Sequence, residues 1–230
     1  QEDSYRADIG FSSETEWEKW FSNYTKFIKH YAQIAEKEGV ELFCIGTELS
    51  YAASKTEMWK NIVFPEVREV FSGKITYAAN WDNYQNIEFW DEVNYAGIDA
   101  YFPLSDKDNP TFQDLKEGWQ RWLIEIEQWQ KTIGKPVIFT ECGYASSDIA
   151  ARRPWEEPFS GEPNLKIQVD CYRALLETFC DKSWFYGLYW WKWNTYAGSG
   201  GKNHRRFTPQ NKPALNLVRL WYTHLIKKDS

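Results

Sequence analysis

The sequence predicts an α/β fold of the (β/α)8 or TIM-barrel type, in which parallel strands alternate with helices. Short apolar runs such as 137–139 indicate strands that are buried on both faces. Five such runs occur, each followed by a helix or helical segment, which implies a parallel sheet covered by helices. Polar and aromatic residues follow each predicted strand, where barrels of this type build their active sites. A doubly wound sheet also binds ligands there, but the sequence has no glycine-rich phosphate loop.

Local signals set the limits of the predicted elements. Ser13 and Glu16 form a capping box that begins the first helix, and Gly39 ends it. Its apolar residues recur at the spacing of one helix face, and they are Trp17, Trp20, Phe21, Tyr24, Phe27, Ile28, Tyr31, Ile34 and Ala35. Further helices are predicted over 56–72, where Pro65 kinks or divides the helix, and over 86–92, 112–133, 164–181 and 212–227. Strands are predicted over 41–47, 74–81, 95–102, 137–139 and 187–194.

The composition indicates one domain over residues 1–230 and excludes some kinds of partner. The net charge of −6 argues against nucleic acid, and no apolar run approaches the ~18 residues of a membrane span. Aromatic residues make up 18% of the chain, and tryptophan suits the apolar faces of sugar rings. We expect about half of the tryptophans to lie in helix cores instead.

The cysteines and histidines predict neither a disulfide nor a cofactor. Cys171 and Cys180 lie on one predicted helix, about 13 Å apart along its axis, which is too far for a disulfide. Cys44 and Cys142 lie in or next to strands. Because no Cys or His spacing matches a metal site, we expect no metal and no cofactor.

Two glutamates occupy matching positions at the ends of apolar runs. Glu48 and Glu141 each follow a threonine where a predicted strand ends. Paired carboxylates can hydrolyse a glycosidic bond, because one protonates the leaving oxygen and the other attacks the anomeric carbon or activates water. The structural alternative is that a salt bridge or capping bond holds each glutamate, because acids are seldom buried unpaired. The repeated Thr-Glu pattern favours the catalytic interpretation.

Five ordered motifs carry a family resemblance. They are FCIGTELS at 43–50, TYAANW at 76–81, GIDAY at 97–101, FTECGY at 139–144 and GLYWWKW at 187–193. In these motifs the chain resembles glycoside hydrolase family 113, over nearly its whole length. The resemblance implies a retaining, endo-β-1,4-mannanase-like enzyme with catalytic glutamates on strands four and seven of a (β/α)8 barrel.

The resemblance also implies roles for the strand-end residues. Glu48 would be the acid/base, Glu141 would be the nucleophile, and Tyr101 would hydrogen-bond the nucleophile. A retaining enzyme would hold the two carboxyl groups about 5–5.5 Å apart, and an inverting one about 6.5–9.5 Å. The expected substrate-binding residues are Arg6, Asn80, Trp81, Asp99, Tyr101, Trp191, Trp193 and Asn194.

The chain departs from the family pattern in two respects. Thr47 occupies the position where much of the wider clan has an asparagine that contacts the sugar 2-hydroxyl. If Glu48 ends strand four, the chain supplies about strands four to eight of an incomplete barrel, since a full barrel takes about 250 residues. We therefore expect either a fragment or a second chain that completes the barrel.

Three functions agree with the sequence. The first is retaining hydrolysis of β-mannan or manno-oligosaccharides, and the second is hydrolysis of another β-glycoside by an enzyme of the same clan. The third is non-catalytic carbohydrate binding, against which the retained glutamate pair argues. In each case the partner is an oligosaccharide or a polysaccharide.

Overall fold

The computed structural model describes residues 5–228, with side chains to residue 223. Its five strands form one parallel sheet in the order β1-β2-β3-β4-β5, so that neighbours in the sequence are neighbours in the sheet. The predicted fold class is therefore confirmed. The strands are β1 (Leu42–Thr47), β2 (Lys74–Asn80), β3 (Tyr95–Asp99), β4 (Val137–Cys142) and β5 (Phe185–Trp190).

Helical segments connect these strands, as the alternation of patterns predicts. The α-helices are α1 (Glu14–Lys37), α2 (Ser50–Ala53), α3 (Thr56–Met58), α4 (Phe64–Arg68), α5 (Phe112–Ile133), α6 (Leu165–Phe179) and α7 (Pro213–Lys228). A π-helical turn spans Trp59–Val63, and 3₁₀ turns span Arg6–Asp8, Tyr84–Asn86 and Trp90–Glu92.

The chain divides into two compact units. The first unit comprises Gln1–Asp99 and Gln130–Thr140, and the second comprises Ala100–Trp129 and Glu141–Ser230. In the core of the first unit, the Trp59 ring contacts Phe21 and Phe89, with ring centroids 5.8 and 5.2 Å apart.

The core of the second unit is also aromatic. The Trp119 ring packs edge-on against Phe102 and Phe179, with centroids 5.7 and 5.1 Å apart. The Tyr172 and Trp190 rings stack with centroids 4.0 Å apart, which joins α6 to the end of β5. Buried aromatic rings of this kind contribute both apolar area and specific ring geometry to the core.

The first helix begins as predicted but buries a narrower face than its apolar pattern suggests. The Ser13 side chain accepts from the Glu16 N–H, and the Glu16 side chain accepts from the Ser13 N–H, so the capping box is confirmed. By contrast, Phe27, Tyr31 and Ile34 are exposed. Helical periodicity aligns residues along a stripe without setting how much of that stripe a neighbouring element covers.

Two other predicted helices differ in detail. The helix expected over 56–72 consists of short pieces that begin at Ser50, and Pro65 lies in the first turn of α4. The π-helical turn that ends at Val63 passes directly into α4 with helical backbone at Val63 and Phe64, so the helical segment changes type next to Pro65 without a break. The prediction of a helix over 86–92 was wrong, because two 3₁₀ turns flank the extended residue Ile87.

The cysteines and the helix lengths bear on two further expectations. Cys44, Cys142, Cys171 and Cys180 are all free thiols, which confirms that they are unpaired. Within residues 5–228, no helix combines the length and apolar character that crossing a membrane would take.

Candidate active site

In the first unit, Glu48 lies immediately after β1 in a strained backbone conformation. Its φ is 52°, in the left-handed region that costs a non-glycine residue about 1–3 kcal/mol. The pairing of β1 with β2 shifts register between Cys44 and Thr47, just before this residue. Register shifts of this kind re-aim side chains next to functional sites. The Glu48 N–H then donates to the Ala78 carbonyl at 2.8 Å, which anchors the strained residue to β2.

The Glu48 carboxylate is buried and ion-paired. Its side chain is 7% exposed, and its Oε2 accepts hydrogen bonds from Arg6 Nε at 3.1 Å and Arg6 Nη2 at 2.8 Å. The Tyr5 hydroxyl donates to the same oxygen. Partial burial and the nearby carboxylate raise the pKa of Tyr5, so this hydroxyl keeps its proton. Tyr5 was not predicted to belong to the site, because the polar segment before α1 carries no periodic signal.

Three more predicted residues lie at the same edge of the first unit's sheet. The β2–β3 register places Asn80 opposite Asp99. The Asn80 side-chain oxygen accepts from the Trp81 N–H at 2.8 Å, which orients the amide at the strand end. Asp99 is fully buried and accepts a hydrogen bond from the Thr140 hydroxyl at 2.7 Å. The register brings the ends of β2 and β3 together. Contact of Asn80, Trp81 and Asp99 with a sugar stays a prediction.

In the second unit, Glu141 is held by the segment that follows β3. Its carbonyl accepts from the Ala100 N–H at 2.6 Å. Its carboxylate Oε2 accepts from the Tyr101 hydroxyl at 2.8 Å. The hydrogen bond that the resemblance implies between these two side chains is therefore present. A neutral hydroxyl donor stabilises the carboxylate form, which a nucleophile requires.

The aromatic residues after β5 belong to the second unit as well. The Trp191 N–H donates to the Cys142 carbonyl at 2.7 Å, so this segment runs beside the end of β4. The approach is close, because a Cβ at Gly143 would lie 2.0 Å from the Trp191 carbonyl oxygen. Glycine is therefore the residue that this contact requires. The side chains of Trp191 and Trp193 are 41% and 51% exposed, which leaves indole faces available to a ligand.

A buried glutamine organises the loop around Asn194. The Asn194 N–H donates to Gln210 Oε1 at 2.7 Å, and Gln210 Nε2 donates back to the Asn194 carbonyl at 3.1 Å. Gln210 also donates to the Tyr196 carbonyl at 3.3 Å. The contact of Gln210 with Asn194 was not predicted, because Gln210 lies 16 residues from Asn194 in a stretch without helix or strand periodicity.

Lys212 is a third residue that only the structure reveals. It is 4% exposed, and its Nζ donates to Ser146 Oγ at 2.7 Å and to the Arg206 carbonyl at 2.6 Å. Burial lowers the pKa of Lys212 to about 7. Ser146 in turn donates to the His204 carbonyl at 2.8 Å. This network ties the loop before α7 to the loop after β4.

Metal ligands are not grouped in this part of the chain. Across residues 5–223, whose side chains the structure describes, no cluster of three or more His, Cys, Asp or Glu side chains is arranged to hold a metal ion.

Comparison with known proteins relates this arrangement to one family of enzymes. Residues 1–212 match the sequence model of Glycoside Hydrolase Family 113. No curated protein sequence matches the chain.

Solved structures agree with the sequence match. A GH113 β-mannanase from Alicyclobacillus acidocaldarius, in complex with ManMIm, is 26% identical with a TM-score of 0.84, and the match covers 97% of this chain and 70% of that one. A GH113 β-1,4-mannanase in a complex structure is 29% identical with a TM-score of 0.85 and the same coverage. A Ruminococcus gnavus β-glucuronidase is 13% identical with a TM-score of 0.65, covering 92% of this chain and 37% of its own, and shows a similarity of fold alone.

Proposed function

Because the chain belongs to glycoside hydrolase family 113, we propose that this glycoside hydrolase cleaves β-1,4-mannosidic linkages in mannan or manno-oligosaccharides. The observation that carries the proposal is the likeness to β-mannanase structures over 97% of the chain. We further propose that the enzyme acts within the polysaccharide and retains the anomeric configuration.

In the proposed mechanism, Glu141 is the nucleophile and Glu48 is the acid/base. Glu48 gives a proton to the glycosidic oxygen while a Glu141 oxygen attacks the anomeric carbon, which forms a sugar ester and releases the first product. Glu48 then accepts a proton from water as the water oxygen displaces the ester. The Tyr101 hydrogen bond to Glu141 and the strained backbone of Glu48 support these roles.

The remaining strand-end residues are proposed to bind sugar. Trp191 and Trp193 expose indole rings that suit the apolar faces of sugars. Asn80 presents a backbone-anchored amide at the end of β2, and Asn194 is fixed by Gln210. Trp81 and Asp99, at the ends of β2 and β3, complete the proposed set.

The substrate proposal is tested by a panel of oligosaccharides. We expect the chain to hydrolyse β-1,4-linked mannan oligosaccharides with a kcat/KM at least about tenfold above that for glucan and xylan oligosaccharides, a difference that one substrate-hydroxyl hydrogen bond can supply. The product anomer, read by NMR early in the reaction, should be β. Preferential hydrolysis of glucan or xylan would support another β-glycosidase, and binding without hydrolysis would support the non-catalytic alternative.

Replacing Tyr101 with phenylalanine tests the support of the nucleophile. We expect Tyr101→Phe to lower kcat about 10- to 100-fold, because it removes a hydrogen bond to a charged group. Tyr196→Phe is the control, because Tyr196 is an exposed tyrosine of the same unit. An unchanged kcat in Tyr101→Phe would show that this hydrogen bond has no part in the reaction.

We also propose that residues 1–230 act as one catalytic domain and that a second chain completes its barrel. Among the described strands, β1 and β5 stand at the two ends of the sheet order. Edge strands present unpaired backbone groups that can pair with another chain.

A further inference from the structure

We propose that Arg6 and Tyr5 are positioning residues that hold Oε2 of Glu48 and so reserve its other oxygen, Oε1, for proton transfer. This inference rests on the proposed function, because it explains how Glu48 performs its acid/base role. Arg6 would then contact the proposed acid/base Glu48, whereas the sequence predicts that Arg6 contacts the sugar.

The hydrogen bonds of Glu48 are distributed unequally between its two oxygens. Both Arg6 donors and the Tyr5 hydroxyl converge on Oε2. No residue in the described part of the chain hydrogen-bonds Oε1. The carboxylate is therefore clamped from one side while its backbone is anchored to β2 from the other.

This distribution matches what the two proposed steps need from one carboxyl group. In the first step, the proton on Oε1 passes to the glycosidic oxygen as the bond from that oxygen to the anomeric carbon breaks and a Glu141 oxygen bonds to the carbon. In the second step, water gives its proton to Oε1 as its oxygen bonds to the carbon and the ester bond breaks. Because Oε2 keeps its three donors throughout, the same oxygen gives up and takes back the proton.

The dependence of the rate on the leaving group tests the inference in the full chain. In Arg6→Met the Glu48 carboxyl group is no longer held for proton transfer, so we expect kcat/KM for a manno-oligosaccharide to fall about tenfold, the lower end of what loss of hydrogen bonds to a charged group produces, because Arg6 is half exposed. Because a nitrophenolate leaves without protonation, kcat/KM for a nitrophenyl β-mannoside should fall much less. Arg6→Lys and Tyr5→Phe should show the same pattern with smaller losses.

Matched variants separate positioning from a general structural effect. Arg173→Met removes an arginine of similar exposure, 52% against 50%, from an ion pair with Glu177 on α6, and should leave the rates on both substrates unchanged. Arg6→Gln keeps hydrogen-bond donors without the charge and replaces Arg6→Met if that variant does not fold. An Arg6 variant that loses the same factor on both substrates would overturn the inference.

A second readout separates this inference from the proposed function. If the wild-type chain hydrolysed no glycoside, the proposed function would be rejected. Crystal structures of the wild-type and Arg6→Met chains would still decide whether Arg6 holds Glu48: a carboxyl group displaced in the variant would support the inference, and an unmoved one would overturn it.

Discussion

Glu141→Ala should reduce hydrolysis of every β-mannoside by at least about 10⁴-fold, the scale of effect seen when a catalytic nucleophile is removed. Without the carboxylate, no oxygen is placed to bond with the anomeric carbon, so the quality of the leaving group should not restore the rate. The measurement is kcat/KM on a manno-oligosaccharide and on a nitrophenyl β-mannoside.

Azide identifies the role of the missing carboxylate. In Glu141→Ala, azide can occupy the vacated space and attack an activated substrate directly, which gives a glycosyl azide of inverted, α configuration. Glu177→Ala is the matched control, because Glu177 is a partly buried glutamate on α6 that pairs with Arg173. Retained activity in Glu141→Ala would contradict the assignment of the nucleophile and leave Glu141 as a structural residue at the end of β4.

Glu48→Ala should produce a loss that depends on the leaving group. We expect kcat/KM for a manno-oligosaccharide to fall by about 10²- to 10⁴-fold, the range that general acid catalysis supplies. A nitrophenolate leaves without protonation, so kcat/KM for a nitrophenyl β-mannoside should fall much less. The second step then lacks its base, so the sugar ester should accumulate. A burst of nitrophenolate would report this accumulation.

Azide should relieve that second step with the opposite stereochemistry. It needs no base to attack the ester, so it should raise kcat for Glu48→Ala and give a β-glycosyl azide. An α azide from Glu48→Ala, together with a β azide from Glu141→Ala, would show that the two roles are exchanged. Equal losses on both substrates would show that Glu48 serves the structure of the site and transfers no proton.

The order of strands and helices, and the strand ends that carry polar residues, can be predicted from the amino-acid sequence. These features follow from local patterns: apolar runs of strand length, helical spacing, and capping residues such as Ser13. The order of strands in the sheet confirms the predicted alternation of strands and helices, because each strand lies beside its sequence neighbour. The pairing of Tyr101 with Glu141 also matches its prediction, which came from ordered motifs and the family resemblance.

The side chains that hold these residues in place are evident only from the folded chain. Arg6 is 42 residues from Glu48, and Lys212 is 66 residues from Ser146, so no local period relates either pair. The same limit explains the exposed residues of α1, such as Phe27, because the width of a covered face depends on the neighbouring element. Local patterns report which residues share a strand or a helix face, whereas the path of the whole chain determines which distant groups meet there.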